Sequence, residues 1–188
     1  MAIKTQSVGF DKTSRPFALY LHWPFCRAKC PYCDFNSHVS NDVDTKIFGD
    51  ALCTEMTHMA SLMPTRPPLS SLFFGGGTPS LMPPLLVERL IRHAEDLFGF
   101  TGNIEITAEA NPSSVESEAM LGFQKAGVNR VSMGVQSLDD ASLRFLGREH
   151  SAADALQALN KVKKAFDRVS IDLIYALPDQ SPKEWQTM

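Results

Sequence analysis

Ala18-Leu19-Tyr20-Leu21-His22-Trp23 runs almost directly into Cys26-Arg27-Ala28-Lys29-Cys30-Pro31-Tyr32-Cys33. The first stretch, apolar and aromatic, reads as a strand, and the cysteines form the loop at its end. The same rhythm recurs downstream. Leu69 to Phe74 is a second strand, ending in Gly75-Gly76-Gly77-Thr78-Pro79. Asn103 to Ala110 is a third, closed by Asn111-Pro112; Arg130 to Val135 is a fourth; Val169 to Ala176 is a fifth, ended by Pro178. Helical segments alternate with them. Asn41 to Met63 places Val43, Ile47, Ala51, Met56, Met59 and Met63 near one face. Pro83 and Pro84 open another helix, where a missing N–H costs nothing; Leu86, Leu90, Ala94 and Leu97 give its stripe, and Gly99 stops it. Ser113 and Glu116 have the spacing of a capping box. A short helix over Leu138 to Leu146, one from Ser151 to Phe166 and a last turn from Ser181 to Met188 complete the pattern.

This alternation predicts an α/β fold with a parallel sheet and helical crossovers. An open doubly wound sheet and a curved partial barrel of the TIM type both satisfy it, and both gather ligands at the C-terminal ends of the strands. Every Gly- or Pro-rich loop named above occupies such an end.

The 188 residues suffice for one domain with a real core. Hydrophobic residues at 44% and charged residues at 21% are globular composition. A net charge of −3 gives no electrostatic reason to expect nucleic acid or an anionic membrane as partner. No apolar run approaches the roughly 20 residues of a membrane helix, and Met1 to Arg15 lacks a signal peptide's apolar stretch, so a cytoplasmic protein is expected. In a reducing compartment clustered cysteines bind metal or do redox chemistry rather than form disulfides.

Cys26, Cys30 and Cys33 form a C-x₃-C-x₂-C run. Such a loop can present three thiolates to three irons of a cubane cluster, leaving the fourth iron open to an exogenous ligand. A structural zinc site is the competing reading; it wants four protein ligands, and His22 or His38 is the candidate for the last. Three glycines without a following Lys-Ser/Thr pair do not make a phosphate-binding Walker loop, so nucleotide hydrolysis is rejected.

With an aromatic before its last cysteine, this run resembles the signature of the radical S-adenosylmethionine (SAM) superfamily. Tyr20 to Cys26, Gly75 to Pro79, Glu109-Ala-Asn-Pro112, Met133-Gly-Val-Gln136-Ser and Ile171 to Pro178 extend the resemblance from about Tyr20 to Leu177. Together they resemble the branch that contains oxygen-independent coproporphyrinogen III oxidases and HemW-type heme chaperones. The resemblance implies a partial (β/α) TIM-like barrel, truncated here after about five β/α units, with the core over 18–188 behind an N-terminal arm over 1–17. It implies a [4Fe-4S] cluster on Cys26, Cys30 and Cys33. It also implies SAM contacts from Tyr20, Tyr32, Gly75, Gly76, Gly77, Thr78, Glu109, Gln136, Arg148 and Asp172, the glycines meeting the SAM amino group and Arg148 its carboxylate. His22 is a candidate supporting residue. His58, His93 and His150 read as solvated surface, and Cys53 as a small buried apolar group.

Two departures separate the branches. The oxidases carry a fourth cysteine two residues after the third, where this chain has Phe35, and they have a longer N-terminal arm. The chain therefore resembles the heme chaperones more, which implies heme, a heme-acceptor protein and an electron donor as partners. Coproporphyrinogen oxidation and a non-enzymatic iron–sulfur scaffold or sensor are the alternatives. The His-Asn-x-x-Tyr-Trp heme sequence of that branch is absent from these 188 residues. A sixth β/α unit and a C-terminal domain are likewise expected beyond Met188.

Overall fold

The computed structural model describes residues 16–188, so the N-terminal arm, apart from its last two residues, lies outside the described residues. Five long strands, β1 (Phe17–Trp23), β4 (Leu69–Gly76), β5 (Phe100–Ala110), β6 (Arg130–Gln136) and β7 (Arg168–Leu173), form one sheet in the order β1-β4-β5-β6-β7. Every neighbouring pair is parallel. Spatial order follows chain order with no reversal. That removes the doubly wound alternative, whose sheet must reverse at a switch point, and leaves the single winding of a barrel wall.

The crossovers are α1 (Thr45–Leu62), α2 (Pro84–Phe98), α3 (Ser114–Ala126) and α5 (Ala152–Ala165), each packed on the next in one row. Their apolar faces share a core with Leu21, Trp23, Leu72, Phe74, Ile106, Ala108, Val131 and Met133 of the sheet. The period-two alternation of strands sends Tyr20, His22, Phe73, Thr107, Glu109, Arg130, Ser132, Ser170 and Asp172 to the opposite, concave face. That face is polar and cross-linked: Arg130 donates to Thr107 Oγ1 (3.3 Å) and Ser170 Oγ (2.9 Å), and Ser132 donates to Asp172 (3.1 Å). A barrel whose interior is only packed would not place hydroxyls and carboxylates there.

Local chemistry explains the element ends. Asp44 caps α1 through the amides of Lys46 and Ile47. Pro84 starts α2, and Gly99 ends it with φ +68°. Ser151 and Asp154 close a reciprocal capping box on α5, and Ser181 and Glu184 do so on α6 (Pro182–Thr187).

Several expectations are corrected. The α1 stripe holds in part: Met56 is buried and Val43 and Met63 pack against the core, but Ile47 and Met59 are 66% and 52% exposed, while Gly49 and Ala60, outside the stripe, are buried. At Gly49 the missing side chain lets Leu86 of α2 approach closely, so small residues share the inner face with Met56, Phe48 and Leu52. At α3 only half of the capping box forms. The Glu116 amide donates to Ser113 Oγ (3.2 Å), but the Glu116 carboxylate turns away to Ser80 Oγ and the Asn111 amide. The fifth strand stops at Leu173, before a left-handed Ala176 (φ +60°). Leu138 lies outside α4 (Asp140–Phe145), whose cap is Asp139.

Candidate cofactor site

The cysteine loop is stitched to the fold from both sides. Phe25–Cys26 (β2) pairs with His38–Val39 (β3), which closes the loop at its base. Trp23, Phe25 and Phe48 pack edge-on, with ring centroids 5.0–5.3 Å apart, and anchor it to α1. The glycine loop after β4 holds the other side: Gly77 N–H donates to Trp23 O (2.6 Å) and Thr78 N–H to Phe25 O (2.9 Å). Cys26 is buried on β2, while Cys30 and Cys33 are half-buried, with Cys33 N–H bonded to Cys30 O (3.0 Å).

Each glycine of that loop has a distinct steric reason. A Cβ on Gly75 would lie 2.7 Å from Tyr20 Oη. One on Gly76, where φ is +120°, would meet the His22 ring at 2.7 Å and Trp23 O at 2.8 Å. One on Gly77 would meet Phe25 O at 2.7 Å and Cys26 Sγ at 2.9 Å. The space the glycines leave is thus filled by β1 and β4 at Gly75 and Gly76 and by the cysteine loop at Gly77, a requirement the sequence pattern did not disclose.

Around the cysteines sits a polar cluster that includes Tyr32, Thr78, Asn111 and Arg148. Arg148, expected as a ligand contact, turns its guanidinium under the loop. Its Nη1 donates to Cys30 Sγ (3.3 Å) and reaches Tyr32 Oη at 3.5 Å. Its Nη2 donates to Asn111 Oδ1 (2.6 Å) and Gly134 O (3.0 Å), and its buried Nε has no protein partner. Burial, opposed by the Arg148 charge, pushes the Tyr32 hydroxyl up to about 12, so it remains a proton donor. A cavity of about 340 Å³ opens beside Arg148, between the cysteine loop and the α3 and α5 helices. It lies away from the concave face.

The second group lies on that concave face. Tyr20 stacks on Phe73 at 5.8 Å. His22 Nε2 is 2.9 Å from Asn36 O; a carbonyl only accepts, so the proton is on Nε2. Gly76 N–H donates to Glu109 Oε2 (3.2 Å). Asp172 accepts from Ser132. Gln136 ends β6 with φ +67°, a strained backbone conformation for a residue other than glycine. The site residues read from sequence thus fall into two neighbouring clusters. Tyr32, Gly77, Thr78 and Arg148 gather at the cysteines; Tyr20, Gly75, Gly76, Glu109 and Asp172 gather on the concave face, with Gln136 at the β6 end.

Burial pushes the Glu109 carboxyl above the usual carboxylate range and the Asp172 charge adds to this; the Gly76 amide and His22 oppose it. A folded-state value raised above the unfolded one gives stability that is complete below the ordinary carboxylate pKa and lost as pH rises through the folded value. Glu109→Gln should therefore raise Tm at neutral pH, with the gain vanishing in acid. Thermal melts between about pH 4 and pH 8 check this, and identical pH profiles for both proteins would contradict it.

Two histidines need correction. His93 Nε2 bonds Cys53 O and Thr57 Oγ1, and His150 is half-buried with Nε2 donating to Val135 O, so neither is simply solvated. Asn111, Glu116 and Ser132 were missed, because Asn111 reads as a strand terminator and Glu116 as a cap.

Cys26, Cys30 and Cys33 are the thiols that a cubane cluster would take, one on each of three irons. Among the described residues no three His, Cys, Asp or Glu side chains converge on one point, as zinc requires. A cubane instead takes thiolates spread over three irons. Of the two histidines considered as a fourth zinc ligand, His22 is engaged with Asn36 O and His38 is exposed.

Residues 20–188 match the family model of the radical SAM superfamily. A mitochondrial radical SAM domain-containing protein 1 of Bos taurus is 42% identical over 173 residues, covering 92% of this chain and 39% of that protein. A heme chaperone HemW of Haemophilus influenzae is 40% identical over 176 residues, covering 90% and 45%. Among solved structures, the Escherichia coli coproporphyrinogen III oxidase HemN, described as a radical SAM enzyme, superposes with a TM-score of 0.80 at 34% identity, covering 92% and 40%. The chain thus spans 39% to 45% of the length of these proteins.

Proposed function

The chain belongs to the radical SAM superfamily, and from that premise we propose that it serves a heme chaperone, binding a [4Fe-4S] cluster and SAM and passing heme to an acceptor protein. Position 35 carries the choice of branch. Phe35, 58% exposed, stands where the oxidase pattern has a fourth cysteine. The relatives named HemW point the same way.

Cys26, Cys30 and Cys33 would hold the cluster, and Tyr20, Tyr32, Gly75 to Thr78, Glu109, Gln136, Arg148 and Asp172 would hold SAM. When bound, the pair supplies one-electron cleavage of a sulfonium carbon–sulfur bond. The protein's part is placement. The loop fixes three thiols on one side of the site, and the Glu109 carboxylate, bonded to the Gly76 amide, faces a cationic ligand. The Arg148 guanidinium offers its unpartnered Nε–H to an anionic group. An electron donor and a heme acceptor are the partners this reading requires.

The test pairs heme titration with a coproporphyrinogen III turnover assay on the complete protein. Heme binding without decarboxylation is expected. Robust turnover would make the protein an oxidase and leave the cluster and SAM assignments standing. A cytoplasmic location belongs to the same proposal; the Bos taurus relative is by name mitochondrial, and cell fractionation distinguishes the two. Among the described residues no helix is long and apolar enough to cross a membrane.

A further inference from the structure

Arg148 reaches the cysteine loop from 118 residues away in sequence, and something must aim it. Its side chain is long and its entropy large, so a fixed contact with Cys30 needs partners that hold the fork. Asn111 Oδ1 takes Nη2 at 2.6 Å, and Gly134 O takes the same nitrogen at 3.0 Å. Asn111 is itself immobilised. Its backbone N–H donates to Glu116 Oε2 at 2.7 Å, and Glu116 is 5% exposed and also bonded to Ser80 Oγ. Glu116 lies three residues beyond the Ser113 cap, in the first turn of α3, where the helix dipole favours a carboxylate. A continuous chain therefore runs from Ser80 through Glu116, Asn111 and Arg148 to the sulfur of Cys30.

We propose that Asn111 is a positioning residue that holds the Arg148 guanidinium against Cys30 Sγ and thereby raises the reduction potential of the cluster bound there. The inference rests on the cluster assignment of the preceding subsection. Adding an electron to an iron–sulfur cluster increases negative charge on its sulfurs, and an N–H donor there stabilises the reduced form. The contribution depends on aim as well as charge, because the fork must engage Asn111, Gly134 and Cys30 at once.

The experiment is an EPR-monitored redox titration of the anaerobically reconstituted chain, without SAM, beside an iron assay. Asn111→Ala, Arg148→Lys and Arg148→Gln are compared with wild type. All are expected to load iron as wild type does. Each should lower the midpoint potential by about 59 mV, a tenfold change for a one-electron couple. Arg148→Lys keeps the charge but loses the fork; a wild-type potential in that variant would assign the effect to charge alone and overturn the role of Asn111. Unchanged potentials in Asn111→Ala and Arg148→Gln would overturn the proposal outright while leaving the cluster reading intact. A wild-type chain that takes up no iron would remove both.

Discussion

Replacing Cys26, Cys30 or Cys33 by alanine is expected to abolish iron uptake, whereas Cys53→Ala should leave it at about four irons per chain, the cubane stoichiometry. With the fourth iron already lacking a cysteine, the cluster has no ligand to spare. His22 is committed to Asn36 O, and Phe35 offers no donor. Cys26 is the least replaceable, being fixed on β2 between the Gly77 backbone and the β3 ladder. Cys53 differs in every respect. It lies on α1, and burial pushes its thiol up, away from the thiolate that ligates metal. Anaerobic reconstitution followed by iron and sulfide analysis, with the broad thiolate-to-iron absorption as a second readout, decides it. Full iron content in Cys30→Ala would overturn the ligand set.

The strand–loop–helix rhythm was legible because each strand runs into a chemically distinctive loop. Helix starts at Pro84, Ser151 and Ser181 were legible because capping is local. What escaped was non-local. The inner face of α1 includes Gly49 and Ala60 beside Met56, with α2 packed close against it, and no periodicity of large residues reveals the small ones. Glu116 has the right spacing for a capping box, yet Ser80, 36 residues away, competes for its carboxylate. The candidate site divides the same way. Loop glycines and cysteines announce themselves, but Asn111 gains its role only when β5, β6 and the loop after α4 bring Arg148 to it. The β2–β3 ladder, two residues on each side, is too short to show in sequence.

Gly77→Ala is expected to strip the cluster although no ligand is changed. The added methyl would lie 2.7 Å from Phe25 O and 2.9 Å from Cys26 Sγ, inside contact distance of both. Backbone retreat is blocked on either side, by the Gly77 amide on Trp23 O and the Thr78 amide on Phe25 O. Cys26 or the Phe25 carbonyl must therefore move, and either displacement misplaces a thiolate. Overpacking of this kind costs about 1–3 kcal/mol, which lowers Tm by roughly 2–4 °C for each kcal/mol in a domain of this size. The control is Gly102→Ala, on β5, where an added Cβ meets nothing within 4 Å; it should keep both Tm and iron. Gly76→Ala makes a second comparison. There the φ of +120° adds backbone strain of about 1–3 kcal/mol, and its Cβ would meet His22 rather than a cysteine. It should lose stability and yet retain more iron than Gly77→Ala. Measuring iron per chain and Tm on the three variants separates the effects. Wild-type iron in Gly77→Ala would mean that the cysteine loop yields to the methyl, and that the close approach of the two loops does not position Cys26.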